Sequence, residues 1–421
     1  MKQYVVIGNS AAGIAAVEAI RQADKESKIT VVSDEDYSSY CRCLISYYLA
    51  GDIKEEKISY RPQNFYKENN IELLLNKKVT RVDPKKNRVV MADKSQLGYD
   101  SLLIATGASS KFPELKGIKK EGVFGFRTLK DAKDIAGLLP VVKSACVLGG
   151  GLIGLKAAYA LKKRNIDVKV IIKSGQVLSQ VLDLEAAQLV QKRLEENGIE
   201  VILGQDVAEI ISDEGEIKAV KLDSGKALGV SLVVVGKGVS PNIDLIKDTA
   251  IKVNEGIISN NNLQTSVPNI YAAGDVAETF DITLSEFSVN ALWPLAVEQG
   301  RIAGANMAGG NLNYEGSLGM NSLEFFGLPT VSLGLFRPKN PEGFEEIRMM
   351  DENSQIYKKL ILKNNFLVGA VLAGNINNSG LFLRLIREKI EVSSFKEKLL
   401  QENFGYPDIM DLVKDKEQVY V

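Results

Sequence analysis

Twice in this chain a short apolar strand runs into a glycine-rich turn and then an alanine-rich helix. That repeat limits the fold more than any other feature. The first copy begins at Tyr4–Ile7, turns at Gly8-Asn9-Ser10-Ala11-Ala12-Gly13, continues as a helix over Ile14–Ala23 and returns to a strand at Ile29–Val32. Such βαβ units build parallel α/β sheets. Gly8 allows the tight turn, Gly13 lets helix approach strand, and the free N–H groups of the helix start suit a pyrophosphate. Ser10 takes the middle glycine position and is small enough for close backbone approach. Asp34, Glu35 and Asp36 follow the second strand, and Asp34 or Glu35 is expected to hydrogen-bond an adenosine ribose. A glycine string alone is weak; the order strand, turn, helix, strand, acid gives it weight.

The second copy is Cys146-Val147-Leu148, then Gly149-Gly150-Gly151-Leu152-Ile153-Gly154, a helix over Leu155–Lys163 and a strand over Val168–Ile172. Here all three glycine positions are filled. No carboxylate closes the second strand, which reads Ile172-Lys173-Ser174. Lys173 facing a 2′-phosphate favours NADPH over NADH; the competing reading is a solvated loop lysine. Two such folds in one chain point to a bound redox cofactor in one and a soluble hydride donor in the other.

The 421 residues leave room for two or three domains. A net charge of -1 gives no basic excess for nucleic acid. The start at Met1–Val6 does not read as a signal peptide, and the later apolar runs are short and broken by glycine, so no membrane span and a cytoplasmic location are expected. The chain has no histidine, which excludes every imidazole-based mechanism and His-rich metal sites. Three cysteines, Cys41, Cys43 and Cys146, cannot supply the four thiolates of an iron–sulfur cluster. No metal is expected. Chemistry falls to a cofactor, a thiol, or Lys, Asp, Glu and Tyr.

Four further stretches carry a family resemblance. They are Leu102-Leu103-Ile104-Ala105-Thr106-Gly107, Gly236-Lys237-Gly238-Val239-Ser240-Pro241-Asn242, Thr265 through Gly274-Asp275, and Trp293-Pro294 through Arg301. With the two glycine turns, they make the chain resemble the FAD-dependent pyridine nucleotide-disulfide oxidoreductases. The nearest branch holds NADH oxidase, coenzyme A disulfide reductase, rubredoxin reductase and the flavin domain of nitrite reductase. The resemblance implies an α/β protein with two Rossmann-like dinucleotide-binding domains, for FAD and NAD(P), plus a C-terminal α+β dimerisation domain. The implied bounds are 1–111 with 245–318 for FAD, 112–244 for NAD(P), and 319–421 for the C-terminal domain. In that last domain Tyr357–Ala373 reads as a strand hairpin followed by helix. A homodimer follows from the resemblance alone. So do the FAD contacts: Gly8, Ser10, Ala11, Ala12, Gly13, Asp34 or Glu35, Arg42, Val79, Ala105, Thr106, Gly107, Arg127, Gly274, Asp275 on the ribityl chain, and Leu292 and Trp293 at a helix start near the flavin. Gly149, Gly151, Leu152, Ile153, Gly154, Lys173 and Gly238 are the implied nicotinamide-dinucleotide contacts.

The segment Tyr40-Cys41-Arg42-Cys43-Leu44 ahead of Leu49-Ala50-Gly51 fits two branches of the family. Against the rubredoxin reductase pattern Tyr-Ser-Arg-Pro, Cys41 stands for Ser, Cys43 for Pro, and Arg42 matches the arginine on FAD. Against the oxidase and disulfide reductase branch, Cys43 lies eight residues before Gly51, where a redox cysteine is found. A helix start at Cys43 would favour its thiolate, with Cys41 as resolving thiol. The competing reading makes both small packing residues; Cys146 on its apolar strand reads as core. The family's flavin-side Lys and its partner Glu are replaced by Tyr47 and Lys156, so both are candidate catalytic residues. The first functional expectation is an FAD-dependent NAD(P)H oxidoreductase exchanging electrons with a ferredoxin- or rubredoxin-like protein. The second is a thiol-dependent NAD(P)H oxidase, peroxidase or CoA-disulfide/polysulfide reductase using Cys43. A non-catalytic flavin-binding subunit or redox sensor is a third.

Overall fold

The computed structural model describes residues 1–412, so the last nine residues of the expected C-terminal domain lie outside it. The first apolar strand, Gln3–Ile7, is central in a five-stranded parallel sheet. The order is Ile270–Ala272, Ser101–Ile104, Gln3–Ile7, Lys28–Val32, Ile71–Leu74. Strands covered on both faces read as unbroken apolar runs, and Tyr4, Val5, Val6, Leu102, Leu103 and Ile104 are fully buried. The helix Ala11–Ala23 crosses one face against Trp293–Met307. Small residues set how close they come. A Cβ on Gly300 would lie 2.1 Å from the Ala12 carbonyl oxygen, and one on Gly304 2.3 Å from that of Ala16.

The second repeat builds a second parallel set in the order Asp167–Ile172, Ser144–Leu148, Leu232–Val235, Val123–Phe124. Its helix, Leu152–Lys163, follows the turn as in the first copy. Both βαβ repeats therefore form as the glycine spacing requires. Two short strands, Ala108–Ser110 and Val239–Pro241, pair antiparallel and join the Ala105-Thr106-Gly107 stretch to Gly238. Asn242 fastens this crossing: its Nδ2 donates to the Thr106 carbonyl at 2.8 Å, while Thr106 Oγ1 donates to the Asn242 carbonyl at 2.9 Å.

By its internal contacts the chain forms two compact units. One is Met1–Ile171 with Gln205–Ser317, and the other is Ile172–Gly204 with the residues from Leu318 on. The second unit holds an antiparallel sheet in the order Met320–Phe325, Leu328–Gly334, Phe366–Ala373, Ile356–Lys363, Phe344–Asp351. The expected hairpin and helix are there: Ile356–Lys363 pairs with Phe366–Ala373, and Ser379–Arg387 follows. Among the described residues no helix is long and apolar enough to cross a membrane.

Candidate flavin and nicotinamide site

The two glycine turns share one construction. Gly8 has φ +120°, and a Cβ there would lie 2.1 Å from the Ala105 carbonyl oxygen; one on Gly13 would lie 2.0 Å from that of Gly8. In the second turn Gly149 has φ +108°, and added Cβ atoms on Gly149 and Gly154 would meet the carbonyl oxygens of Gly236 and Gly149 at 2.6 and 2.1 Å. Neither Ser10 nor Gly151, the residues that begin the helices, caps them with a side chain. Neither cap side chain thus accepts from the first-turn N–H groups, which suits an anionic diphosphate. The Ser39 hydroxyl is buried without a partner. Its backbone N–H donates to Tyr66 Oη at 3.1 Å, and Tyr66 donates to Asn9 Oδ1 in the first turn at 2.6 Å. These cradles fit two dinucleotides.

A second group of expected residues converges from distant segments. Arg42 pairs with Glu35 through Nη2 and donates from Nη1 to the Arg127 carbonyl at 3.2 Å. Arg127 pairs with Asp275 and donates from Nε to the Ala108 carbonyl at 2.8 Å. Tyr40 completes the group. Its hydroxyl donates to Glu35 at 2.6 Å and accepts the Leu129 N–H at 3.0 Å. Burial and the Glu35 charge hold this phenol well above its ordinary range. Glu35 spends one oxygen on Arg42 and the other on Tyr40, while Asp34 is exposed. Tyr40 and Asn242 carry no role in the sequence reading, although both lie inside stretches it quotes; nothing local marks what their side chains will meet.

The two neighbouring cysteines sit in different surroundings. All three are free. Cys43 lies within the 3-10 turn Arg42–Leu44, ahead of the helix Ile45–Ala50, and Cys41 precedes the turn. The Cys41 thiol is lowered to about 7, first by the hydrogen bond from Cys43 and then by the N–H groups of Cys43 and Leu44, against the opposing effect of burial. Cys43 moves the other way, held protonated by Cys41, by burial and by the Asp275 carboxylate. Cys146 is fully buried on its strand, and burial pushes its thiol up to about 12, as a core cysteine requires.

Tyr47 and Lys156 are brought together: the Lys156 ammonium lies 5.3 Å from the Tyr47 ring centroid. Helix Ile45–Ala50 packs on Leu152–Lys163, and Lys163 pairs with Asp52 at 3.0 Å. A cation–π contact thus stands between these helices. Trp293 at the start of its helix packs edge-on against Tyr60, ring centroids 5.0 Å apart. Val79 is different: its side chain is buried in a core cluster with Val32 and Ile104. Lys173 is exposed after its strand, and Gly238 accepts the Lys111 N–H at 2.9 Å.

Two glycine-cradled dinucleotide folds in one chain, with arginines and an aspartate gathered beside a thiol pair, define a pyridine nucleotide-dependent flavoprotein. Residues 2–300 match the pyridine nucleotide-disulphide oxidoreductase family, and residues 320–390 match the rubredoxin NAD+ reductase C-terminal domain. The chain belongs to the pyridine nucleotide-disulphide oxidoreductase family. It is 38% identical over 314 residues to an NADH oxidase of Methanocaldococcus jannaschii, covering 72% of this chain and 70% of that one. It is 34% identical over 395 residues to an NAD(P)H nitrite reductase of Bacillus subtilis, covering 93% of this chain but only 48% of the relative, so it spans about half that protein's length. Among solved structures, an NAD-dependent persulfide reductase from A. fulgidus superposes with a TM-score of 0.89 at 28% identity, over 96% of this chain and 80% of that one.

The protein is thus an FAD-dependent NAD(P)H oxidoreductase. Bound there, FAD would supply hydride chemistry with release of electrons singly or in pairs. This chain's residues supply binding and orientation. The glycine turns would hold the diphosphates through their N–H groups, and the Arg42–Glu35 and Arg127–Asp275 pairs stand near the cysteine segment.

Proposed function

We propose that the protein passes electrons between NAD(P)H and a small iron–sulfur or rubredoxin-like protein. The observation that carries this reading is a rubredoxin reductase-type C-terminal match on a chain with two dinucleotide cradles and three cysteines. These residues cannot hold a four-thiolate cluster themselves, so an iron–sulfur acceptor would lie outside them. The FAD domain is 1–111 with 245–318, the nicotinamide domain 112–244, and residues 319–421 form the dimerisation domain of a cytoplasmic homodimer. Lys173, in place of a strand-end carboxylate, favours NADPH. The test is an anaerobic titration with NADPH and NADH in parallel, then addition of oxidised rubredoxin or ferredoxin. Bleaching after about one equivalent, with rapid reoxidation by the carrier, supports the reading; no reoxidation by either carrier sinks it.

A second reading rests on the neighbouring thiols of Cys41 and Cys43 beside Asp275. On it, the chain reduces a sulfur substrate, and titration consumes about two equivalents because the thiol pair stores a second electron pair.

A further inference from the structure

We propose that Lys237 binds the diphosphate of the nicotinamide dinucleotide, and that Asp206 is the carboxylate that holds its ammonium in place. This rests on the reading of the second glycine turn as the nicotinamide turn.

The backbone brings Lys237 to that turn. It follows the strand Leu232–Val235, which lies beside the strand Ser144–Leu148 that leads into the turn. In a sheet of this kind a dinucleotide lies across the carboxyl ends of the strands, with its diphosphate on the glycine turn. The flanking residues are pinned there. The Gly236 N–H donates to the Leu148 carbonyl at 2.8 Å, and the Gly238 carbonyl accepts the Lys111 N–H at 2.9 Å. A Cβ on Gly236 would lie 2.5 Å from Gly154 Cα, so the residue before Lys237 packs on the first turn of the helix Leu152–Lys163. The lysine stem runs beside the turn itself: a Cβ on Gly149 would lie 3.5 Å from Lys237 Cγ.

The charged end is held as firmly. Lys237 Nζ pairs with Asp206 Oδ1 at 2.5 Å, and both side chains are less than a quarter exposed. The same Asp206 oxygen accepts the Val207 N–H at 2.9 Å. The Asp206 backbone is tied to Asp223 in both directions, its N–H donating to Asp223 Oδ2 at 3.2 Å and its carbonyl accepting the Asp223 N–H at 2.9 Å. The carboxylate is thus fixed, and it fixes the lysine. Without dinucleotide the pair is neutral, which lowers the cost of keeping a cation partly out of water. An ammonium has three donors and the Asp206 bond uses one, so the others can meet phosphate oxygens in charge-assisted hydrogen bonds. Solvent screens such a cation less than an exposed one. A contact to the diphosphate is common to NADH and NADPH, so Lys237 adds affinity without choosing between them. The competing account is that Lys237 only neutralises Asp206. The two accounts part when both charges are removed.

The test reads binding rather than turnover. Full-length, FAD-loaded wild type, Lys237→Met, Lys237→Arg and the double variant Asp206→Asn with Lys237→Met are titrated calorimetrically in the oxidised state. The probes are NAD+, NADP+ and ADP-ribose, which carries the diphosphate without the nicotinamide. Lys237→Met should bind all three about tenfold or more weakly, having lost a cation and bared a carboxylate. Lys237→Arg keeps the charge and should stay within about threefold of wild type. The double variant should recover only part and remain at least about threefold weaker than wild type, with a shallower dependence on salt. Wild-type affinity in the double variant, or no loss in Lys237→Met, overturns the proposal. A loss confined to NADP+ would move the contact to the 2′-phosphate and overturn it as well. Flavin content is measured on each variant. If Lys237→Met sheds FAD and keeps its affinity for ADP-ribose, the assignment of the second turn to the nicotinamide dinucleotide fails, and the proposal with it.

Discussion

Arg127 and Asp275 are ion-paired although 148 residues separate them in sequence. The pair joins the stretch before helix Leu129–Leu138 to the Ala273-Gly274-Asp275 turn, and both side chains are less than a fifth exposed. Removing either partner strands a largely buried charge next to the cofactor site. Asp275→Ala and Arg127→Ala are expected to weaken FAD retention by about 10- to 100-fold, the worth of one or two charge-assisted hydrogen bonds. Asp275→Asn, which keeps an acceptor, should lose less. Fluorescence of FAD released on dilution measures this. Unchanged retention in both alanine variants would show that the pair acts only in the apoprotein.

Tyr47 and Lys156 set a cation over a ring, with 5.3 Å from ammonium to centroid. Both side chains are partly exposed, so the contact is modest. Tyr47→Leu and Lys156→Met, made singly and together, should show a coupling of about 0.5–1 kcal/mol in urea unfolding. Tyr47→Phe keeps the ring face and should preserve most of it. A coupling near zero would make the two side chains neighbours without interaction.

The glycine turns were legible because their requirement is local. Gly8, Gly13, Gly149 and Gly154 are set by φ and by backbone oxygens within a few residues or one strand away, so spacing alone announces them. The C-terminal hairpin was legible for the same reason, through the run of apolar strand formers in Tyr357–Ala373. The ties of Glu35 to Arg42 and Tyr40, and of Asn242 to Thr106, were not. They depend on where long side chains meet after distant segments pack, which no periodicity encodes. The nearness of Cys41 and Cys43 was legible from their spacing of two residues; the approach of Asp275 to Cys43 was not, because it comes from a segment more than two hundred residues away.

Lys358 gives a pH signature to the second unit. It is buried beside the Phe382 ring, and its ammonium donates to the Leu399 and Leu400 carbonyls, at 3.5 and 3.4 Å. Burial lowers its pKa below the ordinary 10.5, with Glu402 opposing. Between the folded value and 10.5 the unfolded chain binds more protons, so this residue makes stability rise with pH there. At lower pH the charged lysine is a cost, and Lys358→Met should be more stable than wild type by about 1 kcal/mol at pH 7. The gap should shrink by pH 10.5. Urea midpoints of both proteins at the two pH values check it, and a gap that does not move with pH would mean the ammonium is solvated in the folded state.

The paired construction of the turns predicts that their functions can be separated by one methyl group each. In Gly13→Ala the new Cβ would meet the Gly8 carbonyl oxygen at 2.0 Å, and in Gly154→Ala that of Gly149 at 2.1 Å. Both obstacles are backbone, so the turn itself must shift, at about 1–3 kcal/mol, and the N–H groups aimed at a diphosphate shift with it. Gly13→Ala should purify with little flavin. Gly154→Ala should keep its FAD and be reduced by dithionite like wild type, yet lose at least about 100-fold in kcat/KM for NAD(P)H, or about 2.7 kcal/mol of transition-state binding. Flavin absorbance on purification and stopped-flow reduction separate the two effects. The opposite pattern, flavin lost from Gly154→Ala and nicotinamide response lost from Gly13→Ala, would exchange the two turns' cofactors.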